Sequence, residues 1–140
     1  MSEDRSQMDL PLGRGVDLQR RTKAAVAKAL KNCPLSREQI ADRINEALEN
    51  EGSPYRLTPT TLDRWAAPSD STHNIPAWLV AVFCQVTGSR DLLALPAEVL
   101  GLAVVGEREK HLITLGEAQL QSANLARQRK RAMEALEALR

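Results

Sequence analysis

Leu35-Ser-Arg-Glu-Gln-Ile-Ala-Asp-Arg-Ile44, followed after an interval by Leu57-Thr-Pro-Thr-Thr-Leu-Asp-Arg-Trp65, is the stretch from which the fold is read. Ser36 carries an oxygen for the orphan amides of a helix start, and Gln39, three residues on, reaches back to the Ser36 amide, which makes a capping box. Thr58 stands at a second cap position, and Pro59 falls on the first helical residue, where a missing N–H costs nothing. Ile40, Ala41, Ile44, Ala47 and Leu48 continue the apolar face of the first helix through Asn50. Glu51-Gly-Ser-Pro-Tyr55 then reads as a loop. Leu62 and Trp65 turn the second helix inward.

The outward side of that second helix is polar. Thr60, Thr61 and Arg64 offer short hydroxyls and a guanidinium, groups suited to base edges and phosphates in a major groove. Arg56 and Tyr55 precede the helix within reach of a phosphate backbone, and Arg20, Arg21 and Lys23 begin a basic cluster that runs to Lys31. Leu35 to Ile44 resembles the first helix of helix-turn-helix repressors of the Cro and repressor type, and Thr58 to Trp65 is similar to their recognition helix. In those proteins a turn of three or four residues joins the two helices. Here Asn45 to Arg56 intervenes, a departure that bears on the crossing angle and, with it, the docking. The run Ile75-Pro-Ala-Trp-Leu-Val-Ala-Val-Phe-Cys-Gln-Val-Thr-Gly88 adds a resemblance to small phage and prophage regulators, which implies early phage gene control or a transposable phage.

Around this centre the chain predicts an all-α protein: a small helical domain containing the helix-turn-helix, with a long C-terminal oligomerisation helix. Residues 1–15 are polar with Gly and Pro and predict a disordered arm. Residues 16–106 are expected to form a helix-turn-helix-like DNA-binding domain. Its first helix runs from Val16 to near Asn32, ahead of Pro34, with Leu18, Thr22, Ala25, Val26, Ala29 and Leu30 at helical spacing. Ala67 to His73 is a loop. Asn74 caps a core helix from Ile75 to Thr87, in which Trp78, Leu79, Val82, Phe83 and Val86 are apolar. Ser89 caps the next helix, which Pro96 divides and Gly101 stops. Leu102-Ala-Val-Val105 reads as an edge strand or an extended cover over the core.

Residues 107–140 contain no Pro and are rich in good helix formers. Leu115, Ser122, Arg129 and Leu136 recur at one seam position and Ala118, Leu125, Ala132 and Leu139 at the other, a diluted coiled-coil heptad. That seam predicts a homo-oligomer, a dimer or tetramer. Gly116 marks a close crossing or a break in the helix.

A net charge of +1 on 140 residues selects no partner by itself, so the basic clusters before the motif and at Arg127 to Arg131 matter more than the total. Cys33 and Cys84 lack paired spacing, and His73 and His111 stand alone, so neither a disulfide framework, a metal nor another cofactor is expected. No apolar run reaches membrane length and no secretory core opens the chain, which predicts a cytoplasmic location with reduced thiols. The sequence also lacks a nucleophile, base and orienter set, so no enzyme is expected. Two functions remain: a sequence-specific, double-stranded-DNA-binding regulator acting as an oligomer, and a helical interaction or assembly module without DNA binding.

Overall fold

Each of the first three helices begins where a side chain takes up an orphan amide. In the computed structural model, which describes residues 17–140, α1 spans Leu18–Asn32, α2 Arg37–Asn50 and α3 Pro59–Ala66. The arm expected over residues 1–15 lies outside the described residues. Asp17 Oδ1 accepts from Arg20 N and starts α1. Ser36 and Gln39 form the expected reciprocal box at α2, and Thr58 with Thr61 forms a second box at α3. Glu51 ends α2 in a Schellman closure, with Gly52 in the left-handed region and Ser53 N donating to Leu48 O.

Beyond α3, a 3₁₀ turn at Ala77–Leu79 leads into α4, Val80–Thr87, and α5 follows over Asp91–Val99. α1 packs on α3 and α5, α2 on α3 and α4, and α4 on α5. The core between them is made by Val26 and Leu30 of α1, Ile40, Ile44 and Leu48 of α2, Leu62 and Trp65 of α3, and Phe83 of α4, with Leu57, Leu79 and Leu92 closing its edges. Among the described residues the fold is all-helical, without strands.

The structure corrects several local expectations. Trp78 is not in the core: it is 55% exposed, because the chain enters α4 through the 3₁₀ turn, and Leu79 and Phe83 supply the inward side chains instead. Asn74 does not cap this segment; its Oδ1 accepts from Gln19 Nε2 and its Nδ2 donates to Ser71 O, tying the preceding loop to α1. Ser89 lies one residue before the α5 cap position, which Arg90 occupies.

Pro96 does not divide α5 but sits inside it. The proline φ is already helical, so the helix continues past one missing N–H. Gly101 does stop α5: it takes a left-handed φ of 71°, and Leu102 N donates to Ala97 O in another Schellman closure. Leu102 to Val105 is neither an edge strand nor a cover, since these residues form an exposed connection with Leu102 at 62%. Nothing pairs with a lone four-residue segment in an all-helical unit.

The chain divides into two compact units between Val104 and Val105. The second unit is a single helix, α6, over Glu107–Ala138. It runs unbroken through Gly116, and none of its residues is buried. At 32 residues it is about 48 Å long. No described helix is long and apolar enough to cross a membrane.

Candidate nucleic-acid interface

α3 presents one face to the core and one to solvent. Leu62 and Trp65 are buried, whereas Thr60, Asp63 and Arg64 recur at the spacing of a single exposed stripe. The helix is short, so its position depends on what grips its ends. At the N-terminal end, Thr58 Oγ1 accepts from Thr61 N, and Thr61 Oγ1 returns to Thr58 N. Thr61 is therefore half-buried in the cap, while Thr60 next to it is exposed.

Lys23 grips the other end, and this corrects its expected role. Its side chain is 2% exposed, and Nζ donates to His73 O at 2.6 Å, Arg64 O at 3.0 Å and Trp65 O at 3.4 Å. A cation on the last carbonyls of a helix satisfies them and opposes the negative end of the helix dipole. Lys23 is thus committed to α3 and cannot meet a phosphate. Its place one turn beyond Arg20 on α1 leaves Arg20 and Arg21 exposed near the start of that helix.

Arg64 belongs to a chain of polar contacts that sequence alone did not reveal. Its Nη1 lies 3.4 Å from His73 Nε2, and His73 Nδ1 lies 2.8 Å from Asp70 Oδ2. The tautomer that satisfies both contacts donates through Nδ1 to the carboxylate and accepts through Nε2 from the guanidinium. Asp70 Oδ1 also accepts from Thr72 N, Thr72 Oγ1 and His73 N. Desolvation under the loop pushes the Asp70 carboxyl up, but the hydrogen bonds from Thr72 and His73 outweigh it and hold the group well below the usual carboxylate range. The loop from Ala67 to Asn74 therefore holds Arg64 from one side.

Asp63 is the one acidic group on the exposed stripe, and Arg37 pairs with it. Arg37 Nε meets Asp63 Oδ1 at 3.2 Å, and Arg37 Nη1 donates to Leu30 O at 3.1 Å. This pairing partly neutralises the face that Thr60 and Arg64 share. Arg37 was a missed residue, hidden in the sequence as merely the first residue after a cap.

The loop before α3 is fixed by Asn45, whose Nδ2 donates to Leu57 O at 2.8 Å and whose Oδ1 accepts from Leu57 N at 2.9 Å. Tyr55 packs edge-on against Trp78, with ring centroids 5.2 Å apart. Its ring is thus a structural contact of the loop. Arg56 is exposed but turns its Nη1 back onto Ser53 O and Tyr55 O, both at 2.7 Å. The structure accordingly gathers Thr60 and Arg64 on α3, leaves Arg56 beside its start and Arg20 and Arg21 on α1, and withdraws Lys23. Among the described residues no group of His, Cys, Asp and Glu is placed to hold a metal ion. No family profile, curated protein or solved structure matches the chain.

Proposed function

We propose that this protein is a sequence-specific DNA-binding transcriptional regulator in which α3 enters the major groove and α6 joins copies of the chain. The observation that carries the reading is the exposed stripe of α3, where Thr60 and Arg64 stand clear of the core while both helix ends are fixed by capping and by Lys23. A reading helix needs that rigidity, because base contacts depend on placement within a fraction of an ångström. The resemblance of Leu35 to Ile44 and Thr58 to Trp65 to helix-turn-helix repressors supports the same assignment, and the phage-regulator resemblance supports a place in phage gene control. Arg20, Arg21 and Arg56 are the backbone contacts in this reading, and Thr61 serves through the cap.

The test is fluorescence anisotropy of the full chain on a random duplex and on operators selected from a randomised pool, over a range of salt. Affinity should fall as salt rises, since phosphate contacts release counterions. Arg64→Ala should lose roughly 1–3 kcal/mol on the selected operator and less on random DNA, and Arg20→Ala should weaken both alike and lower the salt slope by about one. Salt-independent or undetectable binding to both duplexes would favour the interaction-module reading.

A further inference from the structure

α6 is an unpartnered helix with most of its large apolar residues on one seam and Ile113 and Leu120 exposed on the opposite side, and the way large and small residues alternate along the seam specifies a partner. With Leu115, Ser122, Arg129 and Leu136 at heptad position a and Ala118, Leu125, Ala132 and Leu139 at d, Leu112 and Met133 fall on the flanking e position. Leu112, Leu115, Leu125, Met133, Leu136 and Leu139, all exposed, therefore share one face. Apart from Glu107, Arg108, His111, Arg129 and Arg140, the charges of the helix lie at b, c and f, outside it.

From this pattern we infer that the partner of α6 is α6 of a second copy of this chain, packed antiparallel along almost its full length. The inference rests on the self-association in the function proposed above and adds its geometry. In a parallel, in-register pair, a faces a and d faces d. Arg129 would then face Arg129 of the other copy within the seam, and Ala118, Ser122 and Ala132 would each face themselves, leaving small-on-small layers between leucine layers. Both cost stability, through like-charge repulsion and through unfilled space.

In the antiparallel pair a faces d, and each mismatch resolves. Leu115 meets Ala132 of the second copy, Ser122 meets Leu125, and Ala118 meets Arg129, so every inner layer joins one long side chain to one short one. On the flank, Leu112 meets Met133. The end layers pair Leu136 with His111 and Leu139 with Arg108, whose polar tips reach solvent while their stems cover the leucines. The two Arg129 side chains separate by about eleven residues along the rod, roughly 16 Å. That distance exceeds the Debye length of about 8 Å at physiological salt, so their repulsion is screened.

The register adds an independent agreement. The alignment that sets a against d in these layers also opposes Glu109 to Ala138, the last residue of α6, so all but the first two residues of each helix overlap. Shifting by one heptad either way leaves a turn or more of each helix unpaired. Phase and length select the same pairing.

The experiment uses the full chain with Cys33→Ser and Cys84→Ser, oxidised in a glutathione buffer and read by non-reducing electrophoresis beside sedimentation analysis. Mixed Leu115→Cys and Ala132→Cys chains should form a disulfide between unlike chains. Ala132→Cys alone should not, because its two copies lie about 25 Å apart, far beyond disulfide reach. As a second variant, Ala118→Glu should tighten the dimer by about two- to fivefold, since the new carboxylate faces Arg129 of the other copy. Rapid crosslinking of Ala132→Cys to itself, or weaker association of Ala118→Glu, would overturn the antiparallel arrangement while leaving self-association standing. A parent chain that sediments as a monomer at every concentration tested would overturn both.

Discussion

At the scale of single residues, the side chains that matter most to the candidate interface are those that hold others in place. Asp70 accepts from Thr72 and His73, and His73 in turn meets the Arg64 guanidinium. Because the Asp70 carboxyl is held below its ordinary value, its contribution to stability is present above the unfolded value of about 4 and is lost as pH falls through the folded one. Melting curves of the parent should therefore shift downward below about pH 4, and Asp70→Asn should remove part of that pH dependence while lowering stability at neutral pH. An identical acid profile for the two proteins would show that Asp70 does not hold the loop. None of this was legible in advance, since His73 and Asp70 gain meaning only when the loop folds against the end of α3. Lys23 shows the same limit in reverse. A lysine within a basic run reads as a surface charge, and only the packing of α1 on α3 reveals the carbonyls that receive it.

Among the elements, the starts and stops were the legible part. Ser36, Thr58 with Pro59, and Gly101 begin or end helices as expected, because capping is decided by a few neighbouring residues and needs no tertiary partner. What failed was the assignment of faces and interruptions. Trp78 was read as core from its spacing among Leu and Val, yet the 3₁₀ turn changes that spacing, and the ring packs on Tyr55 instead. The connection between α2 and α3 is longer than in tight helix-turn-helix units, and Asn45 replaces the tight turn with a two-bond clamp on Leu57. Asn45→Ala should leave the buried N–H and C=O of Leu57 short of partners and cost roughly 1–3 kcal/mol. Thermal melts should drop by several degrees per kcal/mol in a unit of this size, with a parallel loss of affinity on a selected operator as α3 loosens. A melt unchanged from the parent would show that solvent replaces the clamp.

For the whole molecule, the division between Val104 and Val105 separates the two tasks proposed above. The first unit contains every residue of the buried core, and the second exposes leucines along a rod. Truncation after Gly106 should therefore leave a folded monomer by circular dichroism and light scattering. On a two-site operator it should lose about a hundredfold or more in apparent affinity, with little change on a single half-site, because linkage supplies effective concentration rather than contacts. A truncated protein that stays oligomeric would move self-association into the first unit. The separateness of α6 was itself legible from its length and its lack of Pro, whereas its orientation toward a partner depends on layer-by-layer pairing that composition does not reveal.

The carbonyl cage around Lys23 also has a chemical consequence. An ammonium whose donors point at three carbonyl oxygens cannot attack an acylating reagent until the helix pair opens. Lys28, Lys31, Lys110 and Lys130 are exposed and should react with an amine-specific ester within the ordinary time for free lysine. Lys23 should react only at the rate at which α1 and α3 come apart, and added urea should accelerate it in step with the loss of helical signal. Mass spectrometry of the unmodified chain then reads the opening of the fold from a single amine, and a Lys23 that labels as fast as its neighbours would show that the cage is open in solution.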